Sequence, residues 1–365
     1  MISSDETAFQ KIQDQKKLVM SNEFVVSVVT PVYNGEDFLV ECIESVLRQT
    51  YQKFEYIIVN NCSKDRTLEI AQSYANKDNR IRVLSNDKFV GVIENHNIAF
   101  QAISPESKYC KVVSADDWIF PACLARMVAH AEANPSVGIV CSYQLSGGGT
   151  DCRQWRVRWS GLPYPSAVVS GRDICRLQFL DGPYIFGTPT SILYRCDLVR
   201  ARKAFYPNFT PQADTSACYQ CLVNSDLGFV HEILSYERVH DNRITATAEA
   251  VNVGFSSLIH DLQTYGPFYL TEVEIKQRAS ELLQAYYEFL AFSVVHFRSR
   301  KFWAYHKQRL EDVGLPLDCL MLARAVVVKL VDLMLNPKRS VEALLKVGKF
   351  NARRRQINME GWHAS

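Results

Sequence analysis

No apolar run in this chain reaches the ~20 residues that a membrane-spanning helix needs. Charge of one sign is also lacking: 41 Lys and Arg stand against 39 Asp and Glu, a formal net charge of +2. No global field therefore draws the chain to nucleic acid. Residues 1–20 are polar and charged and lack the apolar core of a secretory signal. The eleven cysteines are odd in number and follow no framework spacing. Together these point to a reducing compartment with buried, inert thiols, and a cytoplasmic location is expected. Cys218 and Cys221 form a CxxC, but it stands alone on an expected helix, without the setting that redox or zinc use requires. No GxGxxG follows the first strand and no GxxxxGK[ST] occurs, which disfavours a dinucleotide fold and a P-loop. Internal repeats are absent.

What is present is a globular composition, 47% apolar and 22% charged. After a polar lead-in over 1–22, "FVVSVVT" (24–30) reads as a strand buried on both faces. A helix follows, with Leu39, Ile43, Val46 and Leu47 at helical spacing. Strands are expected again at 54–60, 81–86, 109–114 and 137–145, with helices between them. This alternation means βαβ units and a mostly parallel sheet, so the fold class is α/β. After residue 146 the pattern changes. Residues 151–170 read as an excursion, "GTPTSILYR" (187–195) as a strand, 211–223 as a loop entering a helix, and 229–245 as a strand ending in a basic turn. From about 250 the chain is helical, with a long segment near 271–299.

One stretch poses a chemical question. "YCKVVSADDWIFP" (109–121) ends an apolar strand on Asp116 and Asp117, side by side. Two like charges at a strand end are tolerated if solvated, if one caps a helix, or if a cation sits between them. Parallel sheets bind ligands beyond the carboxyl ends of their strands. That rule gathers "TPVYN", "NNCSKD" and "SADDW" along one edge.

In order and spacing, "VSVVTPVYNGEDFLVECIESVLRQTY", "EYIIVNNCSKDRT", "NIAF" after "GVIENH", "SADDWIFP", "ADTSACYQCL" and "YERVHDNRIT" resemble the motifs of the family 2 glycosyltransferases. The resemblance covers residues 24–245. It implies a GT-A-type, mostly parallel twisted sheet flanked by helices over 23–248. A nucleotide-sugar half (23–145) would precede an acceptor half (146–248), with a helical C-terminal region over 249–365. It further implies inverting transfer of a sugar, expected to be UDP-linked, to a glycan or lipid-linked acceptor, in cell-envelope polysaccharide synthesis. A departing diphosphate needs its charge neutralised, and a divalent cation (Mn²⁺ or Mg²⁺) held by carboxylate oxygen does this. The resemblance puts the metal-ligating Asp at Asp116, with His240 on the closing segment as a further ligand. The usual first Asp of DxD is replaced by Ser114, which can hydrogen-bond a ribose or a metal-bound water. Pro31 and Tyr33 are placed against the nucleobase, and Asn61 where an Asp commonly reads uracil. Asn95 and Arg238 are placed on the diphosphate side. Asp214 becomes the general base that takes the acceptor hydroxyl's proton. Asp117 is expected as a helix cap or as support behind the site, Asp65 as a turn organiser, and His96 as structural.

Two other classes compete with this reading. A nucleotidyltransferase would need a Gly-rich basic loop after the first strand, which "PVYNGEDF" is not. A catalytically impaired nucleotide-sugar-binding module draws support from Ser114, while Asp116 and Asp214 count against it. Residues 322–356 combine apolar and basic residues and are expected either to contact a membrane peripherally at its cytoplasmic face or to cap the domain.

Overall fold

The computed structural model describes residues 26–148, 155–159, 162–209, 212–240 and 253–335. The lead-in, the basic turn after residue 240 and the segment 336–356 lie outside them. The chain divides into two compact units. The first takes residues 26–240 and 265–270 of the described chain, the second 253–264 and 271–335.

The first unit is built on one mixed sheet. β1 (Val26–Val32) and β2 (Phe54–Asn60) are buried at every position, as β-branched strands covered on both faces must be. β3 (Ile81–Ser85) lies at the edge, and only Ile81 in it is buried. With β4 (Tyr109–Val112) these form a parallel set in the order β3-β2-β1-β4. β9 (Ile192–Arg195) then runs antiparallel between β4 and β6 (Val137–Gly147). β10 (Asp226–Arg238) pairs parallel with β6 through register shifts and antiparallel with the short β5 (Trp118–Ile119). β7 (Arg156–Arg158) and β8 (Val168–Val169) are added to β6 and β10. The strand expected over 187–195 is shorter: Pro189–Ser191 is a 3₁₀ turn, and only Ile192–Arg195 pairs. Proline supplies no N–H for a ladder there.

The crossover helices are α1 (Leu39–Leu47), α2 (Thr67–Ala75), α3 (Val92–Gln101) and α4 (Cys123–Ala133). α1 buries Leu39, Ile43 and Val46 of the expected stripe, with Cys42 beside them, while Leu47 is half-buried. α5 (Gly171–Phe179), α6 (Cys196–Arg200) and α7 (Ala213–Leu222) complete the helices up to residue 240. Cys218 and Cys221 are free and buried on α7, and burial holds their thiols in the protonated form, Cys221 at about 12. They are core residues.

The remaining helices among the described residues are α8 (Gly254–Tyr269), α9 (Glu272–Val295), α10 (Arg300–Asp312) and α11 (Cys319–Leu335). α9 starts on a reciprocal capping box between Thr271 and Glu274. The core of the second unit is aromatic: Phe255 stacks on Tyr286 at 5.2 Å, and Tyr286 Oη lies 2.7 Å from His306 Nδ1.

Candidate functional site

The carboxyl ends of β1, β2 and β4 meet along one edge. The turns after β1 and β2 hold each other. Asn34 N–H donates to Ser63 Oγ, and Lys64 N–H donates to Asn34 Oδ1 at 2.9 Å. Asp65 accepts from Thr67 N–H and Glu36 N–H, both at 3.0 Å, which makes it the turn organiser expected. Asn34 (φ 49°) and Cys62 (φ 56°) are left-handed at these turn tips, a conformation that costs energy and is commonly kept at ligand-facing loops.

Asn61 and Asn95 do not face outward. Asn61 is 2% exposed. Its amide donates to Val90 O at 2.8 Å and accepts from Val90 N–H and Asn86 Nδ2, each at 3.0 Å. Asn86 Nδ2 also donates to Asn95 Oδ1 at 2.9 Å, and Asn95 is buried. With these amides engaged, the pair expected to touch donor instead fixes the 86–90 loop. That loop carries Phe89, 59% exposed, whose ring meets exposed Tyr33 edge-on at 4.8 Å. Pro31 is buried in β1 opposite Val59. Sequence reasoning missed Phe89, although an aromatic residue in a polar loop was a usable signal. His96 stacks on Tyr206 at 5.5 Å and is structural.

The two adjacent aspartates have different environments. Asp116 is partly exposed, and its Oδ2 lies 3.0 Å from His240 Nε2. Asp117 is buried and accepts from Thr190 Oγ1 at 2.6 Å and from Arg238 N–H at 3.0 Å. Burial, and secondly the Asp116 charge, push its carboxyl well above the usual range. It caps no helix, since α4 begins at Cys123. It ties the end of β4 to the Pro189–Ser191 turn and to the end of β10. Ser114 N–H donates to Thr190 Oγ1 at 3.1 Å, so the serine in place of the first DxD Asp belongs to this junction.

Arg238 turns its guanidinium over Phe38 at 4.8 Å, donates Nε–H to Asp116 O at 3.1 Å, and pairs with Glu41. Beneath the junction lies Lys111, wholly buried in β4. Its Nζ donates to Thr190 O at 2.5 Å and to Ile192 O at 3.2 Å. Burial lowers its pKa. A lysine inside an apolar strand was legible as unusual, but its partners were not.

Asp214 sits in the first turn of α7 and is half-buried. Burial raises its pKa from the ordinary carboxylate value near 3.8 to about 6, against the stabilising backbone N–H groups of Thr215 and Asp214. The next residue, Thr215, lies 2.7 Å from Tyr184 Oη through its hydroxyl. Tyr184 packs on Trp159, whose Nε1–H donates to Gln144 Oε1 at 3.0 Å. Gln144 Nε2 in turn donates to Thr188 Oγ1 at 2.9 Å. Thr188 immediately precedes the turn that carries Thr190. A continuous path of contacts thus connects the segment of Asp214 with the Asp116–Asp117 junction. Gly187 permits this path. It has φ +90°, and a Cβ there would meet Ser191 Oγ at 1.9 Å.

Among the described residues no group of three or more His, Cys, Asp or Glu could hold a metal ion. Asp116 and His240 are the pair brought together.

Proteins of known sequence and structure share this layout. Staphylococcus aureus TarS, solved with UDP, superposes with a TM-score of 0.56 at 19% identity over 79% of each chain, which is a likeness of fold. EpsJ of Bacillus subtilis, a glycosyltransferase, is 37% identical over 119 residues, 33% of this chain and 34% of its own length. This chain therefore matches about a third of that relative. A Haemophilus influenzae glycosyltransferase is 34% identical over 233 residues, 62% of this chain and 69% of the other. Residues 27–201 match the family described as Glycosyl transferase family 2. That span runs from the buried first strand through the aspartate junction to α6, and with the two-thirds coverage of the Haemophilus protein it shows that this chain belongs to glycosyl transferase family 2.

Proposed function

We propose that the protein moves a sugar from a nucleotide-diphosphate sugar, UDP-linked, to a hydroxyl of a glycan or lipid-linked acceptor, with inversion, Asp214 acting as general base. The observation that carries this reading is the state of Asp214. A half-buried carboxyl with a pKa of about 6 is a carboxylate at neutral pH, yet holds a proton far better than an exposed aspartate. It faces the chemistry required of a base that must take a proton from an alcohol and later release it.

Tyr33 and Phe89 offer an exposed aromatic pair at the sheet edge on which a base can stack. The UDP complex of TarS, a protein of the same fold, agrees with a uridine donor. Asp116 and His240 would hold a divalent cation. Two protein ligands suit a hard cation that takes its remaining ligands from phosphate oxygens and water, and such an ion supplies charge neutralisation of the leaving diphosphate. Asp117, fixed by Thr190 and Arg238 N–H, holds the strand end so that the Asp116 carboxylate stays turned to His240. Arg238, pinned by Glu41 and Phe38, adds positive charge beside it. The relatives are named for glycosyl rather than nucleotidyl transfer, so the nucleotidyltransferase reading has no comparable support.

The test is a screen of nucleotide sugars for binding and slow hydrolysis, with and without Mn²⁺ or Mg²⁺. One UDP-sugar should bind and hydrolyse, more strongly with metal. Failure of every nucleotide sugar to bind, metal present, would overturn the proposal.

A further inference from the structure

β4 and β6 both run antiparallel to β9, so they are parallel to each other. β9 pairs with β6 over residues 139–141, and farther along, at residues 144–146, β7 takes its place beside β6. β7 therefore lies toward the carboxyl end of the parallel strands, the end where such sheets take ligands. Arg158 stands opposite Gln144 and Arg156 opposite Ser146. Opposed residues of an antiparallel pair share a face, and so do residues two apart in a strand. Both arginines thus project on the face of Gln144, whose amide reaches Thr188. Their Cα atoms are about 7 Å apart by strand geometry, close enough for two long side chains to meet one group. Both are exposed, and among the described residues neither guanidinium has an ion pair.

Arg158 is also held in place. Its guanidinium carbon lies 4.9 Å from the centre of the Trp159 ring, and Trp159 Nε1–H donates to Gln144. Trp159 sits there on a left-handed backbone, φ 69°. For so bulky a residue that conformation is an outlier, and such strain clusters at ligand clamps. A stacked guanidinium is preorganised and loses less freedom when it meets an oxyanion. Trp159 packs on Tyr184, whose hydroxyl meets that of Thr215 next to Asp214. The path of contacts that reaches the segment of Asp214 therefore begins at Arg158. Guanidinium forks match phosphate and carboxylate oxygens two by two. We propose that Arg156 and Arg158 form a subsite for an anionic acceptor, a glycan that carries phosphate or carboxylate groups. The inference rests on the acceptor role given above to Asp214 and adds the charge of that acceptor. Charge also blunts an exposed sheet edge, but that role involves no ligand.

The experiment is calorimetry on the full chain with two matched pairs of probes. One pair is trigalacturonate and its methyl ester, the other a glycerol phosphate trimer and triglycerol. An acid should bind where its neutral counterpart does not, and the pair that responds tells carboxylate from phosphate. Saturating UDP and Mn²⁺ should leave this binding in place, because the nucleotide occupies the Asp116 side. The double variant Arg156→Gln, Arg158→Gln changes only exposed side chains. It should keep the wild-type melting curve and UDP affinity and lose at least about tenfold in affinity for the acid. Added salt should weaken the wild type more than the variant. Equal affinity of wild type and variant for the acids would overturn the proposal. So would binding of neither acid, or a variant that loses UDP instead, which would give the arginines to the donor. Failure of the transferase reading has a different signature: no nucleotide sugar binds, while the acid still binds through the two arginines.

Discussion

Replacing Asp214 by Asn separates a catalytic carboxylate from a structural one, because only the catalytic role predicts a loss of turnover. The change keeps the side chain's size and removes its basic oxygen. General bases contribute about 10²–10⁴-fold, so kcat should fall by at least about a hundredfold while donor affinity barely moves. Stability should change in the other direction. The folded protein raises the Asp214 pKa from near 3.8 to about 6, so it binds this proton more tightly than the unfolded chain. Ionisation therefore opposes folding, and the cost builds up as pH rises from near 3.8 to about 6 and is constant above. Two powers of ten in proton affinity correspond to about 3 kcal/mol. The amide never ionises, so the variant should be more stable than wild type by up to that amount above pH ~6 and equal to it in acid. The wild-type rate should also rise with pH through about 6 and level off, since only the carboxylate accepts a proton. The assay is a pH series of kcat/KM with an acceptor in hand, beside denaturation midpoints at neutral and acid pH. If Asp214 only supports the first turn of α7, turnover survives the change and the gain in stability above pH ~6 is still seen. Wild-type turnover in Asp214→Asn would refute the assignment.

Asp116→Ala removes the carboxylate beside His240 and should weaken metal-dependent binding of UDP at least about tenfold in calorimetry, with an unchanged melting curve. Unequal loss with and without metal is the informative sign. Tyr33→Ala opens the aromatic pair with Phe89; base stacking is worth about 1–3 kcal/mol, so UDP affinity should drop roughly fivefold to a hundredfold while a sugar phosphate without a base is unaffected. Lys111→Met keeps the buried volume but leaves the Thr190 and Ile192 carbonyls without this donor, at about 1–3 kcal/mol. A lowered urea midpoint should report it.

Much of this protein was legible in one dimension. The β-branched runs at β1 and β2 and the helical stripe of α1 are local patterns, and burial of apolar surface enforces them wherever they lie. The rule that parallel strands bind at their carboxyl ends then gathered the turns after β1 and β2, which hold each other in the structure. Asp116 and His240 were named from motif order, and they meet. Other roles were decided only in three dimensions. Asn61 read as a base-facing amide, but Val90 and Asn86 engage both ends of it, and residue type carries no record of such partners. Asp117 bonds Thr190, 73 residues away, and Arg238 N–H, 121 residues away. Nothing near either position announces those bonds. They depend on β9 and β10 entering the sheet beside β4 and β6 and on the register shifts of β10. Phe89 became a partner of Tyr33 because buried amides fix its loop. Local residue patterns set which segments become strands and helices, and so which acids stand at a strand end. Which of two neighbouring aspartates is exposed and which is buried, and how far burial shifts Asp214, followed from packing. Desolvation and long-range hydrogen bonding belong to the packed environment, not to the residue.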